Sequence, residues 1–111
     1  MNKYYFNYNL FEKKLDSMYI FNIDNLFTLM KESYNIKNSE SYNAGELLKV
    51  LNNDIQDSDS LRQMFLQFTA EKVIYDAFKS LNQIDAMVEQ EKSINKLFSK
   101  IILEIDKSKV N

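Results

Sequence analysis

Large apolar residues recur along this chain every three to four positions and almost never alternate strictly with polar ones. That spacing is the period of an α-helix with one buried face, whereas strict alternation marks a half-buried strand. Phe11, Leu15, Met18 and Tyr19 share one face and predict a first helix over about 8–20. Ile23, Phe27, Met30 and Tyr34 predict a second over about 24–35, with Asn22 or Asp24 placed to cap it. Residues 35–43 have loop composition. Asn43 and Glu46 then have capping-box spacing, and Leu47, Leu48, Leu51 and Ile55 predict a third helix over about 43–55.

The run Asp57-Ser58-Asp59-Ser60 interrupts the pattern, and Ser60 with Gln63 reopens it. Leu61, Met64, Phe65, Phe68, Ile74, Phe78 and Leu81 form the stripe of a fourth helix over about 60–81. Ile84, Val88, Ile94, Phe98, Ile101 and Ile105 form that of a fifth over about 84–106. Residues 61–106 can be read as one rod or two helices. Asn82 and Asp85 are the candidate breakers, and a break is expected because a bundle needs a return path to bury both stripes. The expected fold is all-α, an antiparallel bundle of four or five helices in a single domain over 1–111, with 1–8 as an aromatic leading segment.

Composition strengthens this reading. The chain has no proline and one glycine, Gly45, so it lacks the punctuation that many-stranded folds require. Its 111 residues suit one domain, and eight phenylalanines with seven tyrosines predict a core rich in Phe. Thirteen lysines against one arginine, with much Asn and Ile, suggest an AT-rich genome. No stretch reaches the eighteen or so apolar residues of a membrane span. The first residues open like a signal peptide but develop no apolar region, so the expected location is the cytoplasm of a bacterium or of a virus-infected cell.

Candidate chemistry is sparse. Cysteine and histidine are both absent, which removes disulfides, thiol catalysis, the usual zinc ligands and the commonest general base. Asp54, Asp57 and Asp59 invite a calcium reading, but from Asp57 the loop's glycine position is Arg62 and its closing glutamate position is Phe68. Capping and solvation account for these acids better. Glu71 falls inside the apolar stripe, as does Glu91 if the last helix is continuous. A buried carboxyl there invites an acid–base reading, but an edge position or a pairing with lysine is the commoner outcome. A single glycine cannot build a phosphate loop. No enzymatic activity, cofactor or metal is expected.

Three surfaces remain. Tyr4, Tyr5, Phe6 and Tyr8 concentrate aromatic groups before any strong helix signal, and four such residues in five cannot all face one core. They are the first candidate for protein interaction, and the acids Asp54, Asp57 and Asp59 the second. Lys92, Lys96 and Lys100 line one side of the last helix, with Leu103 projected among them, and form a weak nucleic-acid candidate. Residues 54–91 hold eight acids against three bases, and residues 92–111 five bases against two acids. A pI near 5.1 disfavours nucleic acid as the partner. The expected function is a non-catalytic protein-binding module, of the kind a phage or mobile element uses to inhibit a host protein, including a nucleic-acid-handling defence enzyme. The alternatives are a bacteriocin-immunity-type helical bundle and an antitoxin or nucleic-acid-associated regulator. A homodimer is compatible with all three.

Overall fold

A computed structural model describes residues 6–19, 22–34, 41–54 and 59–110, and among them it contains five α-helices and no strand. The helices are α1 (Tyr8–Asp16), α2 (Ile23–Ser33), α3 (Ala44–Asp54), α4 (Asp59–Ser80) and α5 (Ile84–Val110). None of them is long and apolar enough to cross a membrane, among the described residues.

Asparagine side chains start the first three helices. The Oδ1 of Asn7 accepts from the Leu10 amide at 3.0 Å and that of Asn22 from the Asn25 amide at 2.8 Å. At α3 the exchange is reciprocal: Glu46 N–H donates to Asn43 Oδ1, and Asn43 N–H donates to Glu46 Oε1. Each bond satisfies an amide that the first helical turn leaves open, typically contributing about 1 kcal/mol.

The first helix is shorter than its apolar spacing predicts. The Ser17 hydroxyl donates to the Lys14 carbonyl, and the Met18 amide bonds Leu15 one residue short of the helical register. Both bonds use carbonyls at the end of α1 and turn the chain there. Tyr19, expected on the buried face of this helix, therefore lies beyond it and is 99% exposed.

The rod between 61 and 106 is broken, and Asn82 is the breaker. Its φ is 56°, a left-handed conformation that asparagine tolerates better than most residues. Asn82 N–H donates to the Lys79 carbonyl and Gln83 N–H to the Phe78 carbonyl. This pair of bonds is the Schellman arrangement, with asparagine at the position glycine usually occupies. α5 therefore runs back along α4.

The α4–α5 hairpin is the spine of the molecule. α5, at 27 residues, is about 40 Å long, close to the 42 Å long dimension of the protein. α3 packs along α4, α1 along α2, and α2 touches α5. Six of the seven phenylalanines among the described residues are buried: Phe6, Phe11, Phe27, Phe65, Phe68 and Phe98. Burying each one contributes roughly 1.5–3 kcal/mol. Phe6 stacks at 4.9 Å on Phe65, and Phe11 lies 6.3 Å from Phe98, so α1 is clamped onto the hairpin by rings.

One polar junction holds α2 to α4. Lys72, 6% exposed, donates to both oxygens of Asp76 at 3.0 and 2.9 Å and reaches Asp24 of α2 at 3.4 Å. Its ammonium lies 4.6 Å from the Phe27 ring centre, and that of Lys31 lies 4.7 Å from the same ring. Two buried lysines thus keep their charges beside carboxylates, a carbonyl and an aromatic ring while their alkyl stems pack in the core.

Candidate functional site

α4 and α5 outlast the helices that cover them. α3 and α2 have eleven residues each, or about 16 Å of cover for a hairpin arm about twice as long. Along the covered part, Phe65, Phe68, Ile94, Ile101 and Ile105 are buried. Toward the turn, Val73, Ile74, Leu81, Ile84 and Val88 are exposed, Leu81 by 68% and Ile84 by 55%. The apolar spacing places Ile74, Leu81, Ile84 and Val88 in the buried stripe, and the structure corrects this. Ile74 is nine positions from Phe65, about two and a half turns, and so points away from the core. Ile84 and Val88 are about 80° and 120° around α5 from Ile94, off the face that Met87, Ile94 and Ile101 turn to the core.

On one side of the hairpin Glu71 ties the two helices together. Its Oε2 accepts from Gln67 Nε2 at 3.0 Å, and its Oε1 accepts from Ser93 Oγ at 2.6 Å and Gln90 Nε2 at 3.4 Å. Gln90 Nε2 also donates to the Glu71 carbonyl at 3.1 Å. Beside this brace runs an open groove of about 330 Å³, with Met64, Leu97, Lys96 and Lys100 among its walls. The half-buried acid within the stripe of α4 thus serves as a helix-to-helix brace, with its oxygens already engaged. Glu91 is exposed on α5.

Lys92, Lys96 and Lys100 are all exposed on α5, as projected, and Leu103 is exposed too. Lys92 pairs with Glu89 at 3.3 Å, while Lys96 and Lys100 border the groove that contains Glu71. The acid that crosses to this basic line, and its partners Gln90 and Ser93, are what sequence reasoning missed. Gln67 and Glu71 have legible i, i+4 spacing. Nothing in the order of residues says that α5 faces Glu71 with Gln90 and Ser93.

Phe6, a candidate for protein contact, is 6% exposed and ringed by Tyr8, Phe11, Tyr34 and Phe65, so its side chain belongs to the core. Tyr8 is half-buried, edge-on to Phe6 at 5.2 Å. Tyr4, Tyr5, Asp57 and the side chains of Asp54 and Asp59 lie outside the described residues. Among the described residues no group of three or more Asp or Glu side chains converges to hold a metal ion.

The N-terminal half of α5 brings together two kinds of exposed group. Ile84 and Val88, one turn apart, present an apolar strip, and Asp85, Glu89 and Glu91 stand exposed around it. An apolar centre with a charged rim is the usual anatomy of a protein-contacting patch. No protein family matches the chain, and no curated protein or solved structure matches it.

Proposed function

We propose that this chain is a non-catalytic protein-binding module that meets its partner with the uncovered N-terminal half of α5. The observation that supports this most is the exposure of Ile84 and Val88 on a protein that buries six phenylalanines elsewhere among the described residues. Apolar side chains left together in water cost free energy that a partner's surface recovers. The acidic surround of Asp85, Glu89 and Glu91, only partly offset by Lys92, selects a partner whose apolar hollow has a basic rim. Proteins that handle nucleic acids carry such surfaces, and an inhibitor of a host protein, encoded by a phage or mobile element, is the reading we favour. An immunity-type bundle would use the same surface against a different partner. Nucleic acid itself suits the chain less well, because the basic line of α5 borders a carboxylate, Glu71, that repels phosphate.

Affinity capture from cells that produce the protein tests this. Ile84→Ser and the charge reversal Glu89→Lys are each expected to reduce retention of the captured partner at least tenfold, while melting temperature moves by no more than a few degrees. Retention unchanged in both variants means that the partner binds elsewhere or does not exist.

A further inference from the structure

A concave surface of a different kind lies on the α4–α5 seam, in the groove beside the Glu71 brace. Its floor is apolar: Leu97 is buried and Met64 half-buried against the core. On the α5 wall stand Lys96 and Lys100, one turn apart and separated by about 6 Å along the helix. Both are exposed, and neither has an ion pair among the described residues, whereas Lys14, Lys72, Lys79 and Lys92 each meet a carboxylate. The α4 wall carries Glu71, whose oxygens accept from Gln67, Gln90 and Ser93. The bonds from Gln90 and Ser93 cross between the helices and fix the separation of the walls. The groove is therefore formed before anything enters it, as small-molecule sites usually are.

The charges on the described walls are two ammonium groups against one carboxylate, a net +1. A single negative charge neutralises them. A phosphate dianion exceeds that balance, and a cation meets only a carboxylate that is already engaged. The α5 wall from Ser93 to Lys100 is about 10 Å long. The groove's space of about 330 Å³ equals that of about eleven water molecules. Both dimensions suit one short chain or ring. An apolar body there would displace water from Met64 and Leu97.

A second groove, between α1 and α2, supplies the contrast. It measures about 250 Å³ and also combines apolar walls, Met18 and Leu29, with a lysine, Lys14. There Glu32 from the facing helix pairs with the lysine, so the charges cancel. What sets the α4–α5 groove apart is uncancelled positive charge over an apolar floor.

We infer that the α4–α5 groove binds a small monocarboxylic acid with an apolar body of about eight carbons. Its carboxylate accepts charge-assisted hydrogen bonds from Lys96 and Lys100, and its hydrocarbon lies over Met64 and Leu97. A site this open holds so few atoms only weakly, with a Kd of about 1–10 mM. Ile84 and Val88 lie on another face of α5, so the inference goes beyond the partner surface proposed above and does not depend on it.

The test titrates octanoate at constant ionic strength and follows the methionine methyl resonances. The Met64 methyl is expected to shift and saturate with a Kd of about 1–10 mM, while Met18 and Met87 stay in place. Octylammonium, the same chain with the opposite charge, is expected to give no saturating shift at Met64. Lys96→Gln combined with Lys100→Gln is expected to weaken octanoate at least fivefold, with the melting temperature within a few degrees of wild type. Ile84→Ser is expected to bind octanoate as the wild type does, so loss of partner capture and loss of octanoate separate the two readings. No saturating shift at Met64 up to about 50 mM overturns the inference. So do equal shifts at Met18 and Met64, which mark indiscriminate apolar contact, equal binding of octylammonium, or full affinity in the double glutamine variant. A short acidic peptide that moves Met64 where octanoate does not also overturns it, and makes the groove a protein contact.

Discussion

The two ends of the α4–α5 hairpin are built from the same kind of sequence and meet different fates. Near the chain's helical neighbours, Phe65, Phe68, Ile94 and Ile101 are fully buried; near the turn, Leu81, Ile84 and Val88 stand in water. The two ends differ in which face carries the apolar residues: Met87, two turns before Ile94, packs half-buried against the core, whereas Val88 lies about a third of a turn away from that face. Burial is therefore set by the angular position of each side chain as well as by the length of the covering helices, and apolar residues that stand off the inward face become a surface.

The sharpest way to break this comparison is to truncate one side chain at each end. Phe68→Ala, in the covered half, is expected to cost about 3–5 kcal/mol in denaturant unfolding, and Ile84→Ala no more than about 0.5 kcal/mol. Similar costs at both positions would mean that the turn end is packed after all. Next in size is the polar junction. Lys72→Ala removes the bonds to Asp76 and Asp24 and the stem packed beside Phe27, and about 1–2 kcal/mol is expected, since both carboxylates remain hydrated. Lys72→Met keeps the stem's bulk and should recover part of that loss; equal effects would assign the whole contribution to charge. At the turn itself, Asn82→Ala forces a Cβ-bearing residue without asparagine's local hydrogen bonding into φ 56°, at an expected cost of about 1 kcal/mol, while Asn82→Gly is neutral or stabilising. The smallest effect is expected at Val88→Ala, within about 0.5 kcal/mol of wild type in stability, even though the proposed partner contact includes it.

Much of this fold is legible in the sequence, and the reasons are local. The all-α class, five helices and the Asn43–Glu46 box follow from spacing and from side chains that bond within their own turn. Asn82 is legible only as one of two candidate breakers, beside Asp85, and its left-handed φ decides between them. What depends on distant neighbours is not. Ile74 reads as core because it fits a run of apolar residues, yet only the angular distance from Phe65 and the short reach of α3 decide its exposure. Tyr19 reads as part of α1 because spacing cannot register the hydrogen bonds at Ser17 and Met18 that end the helix. The candidate site was legible in part. Glu71 stands out in its stripe and the lysines of α5 in theirs, but their meeting across the hairpin, with Gln90 and Ser93 between, is a fact of tertiary packing. Phe6 shows the limit from the other side: an aromatic cluster at one end of the chain reads as surface until the ring that receives it, Phe65, is known.

The clamp of Phe6 and Phe11 on the hairpin also governs the order of events in folding. α3 with α4 and α4 with α5 are neighbours along the chain, and such helical hairpins close over short loops on microsecond scales. Phe11 and Phe98 are 87 positions apart. Bringing them together directly costs about 1 kcal/mol more in chain entropy than closing a hairpin-sized loop. The ring contacts therefore form late, after the spine exists, and contribute little at the barrier. Weakening them, as in Phe11→Leu, should hasten unfolding far more than it slows folding. The aromatic clamp acts as a latch: it sets how long the native state lasts, while the speed of its formation is decided in the hairpins.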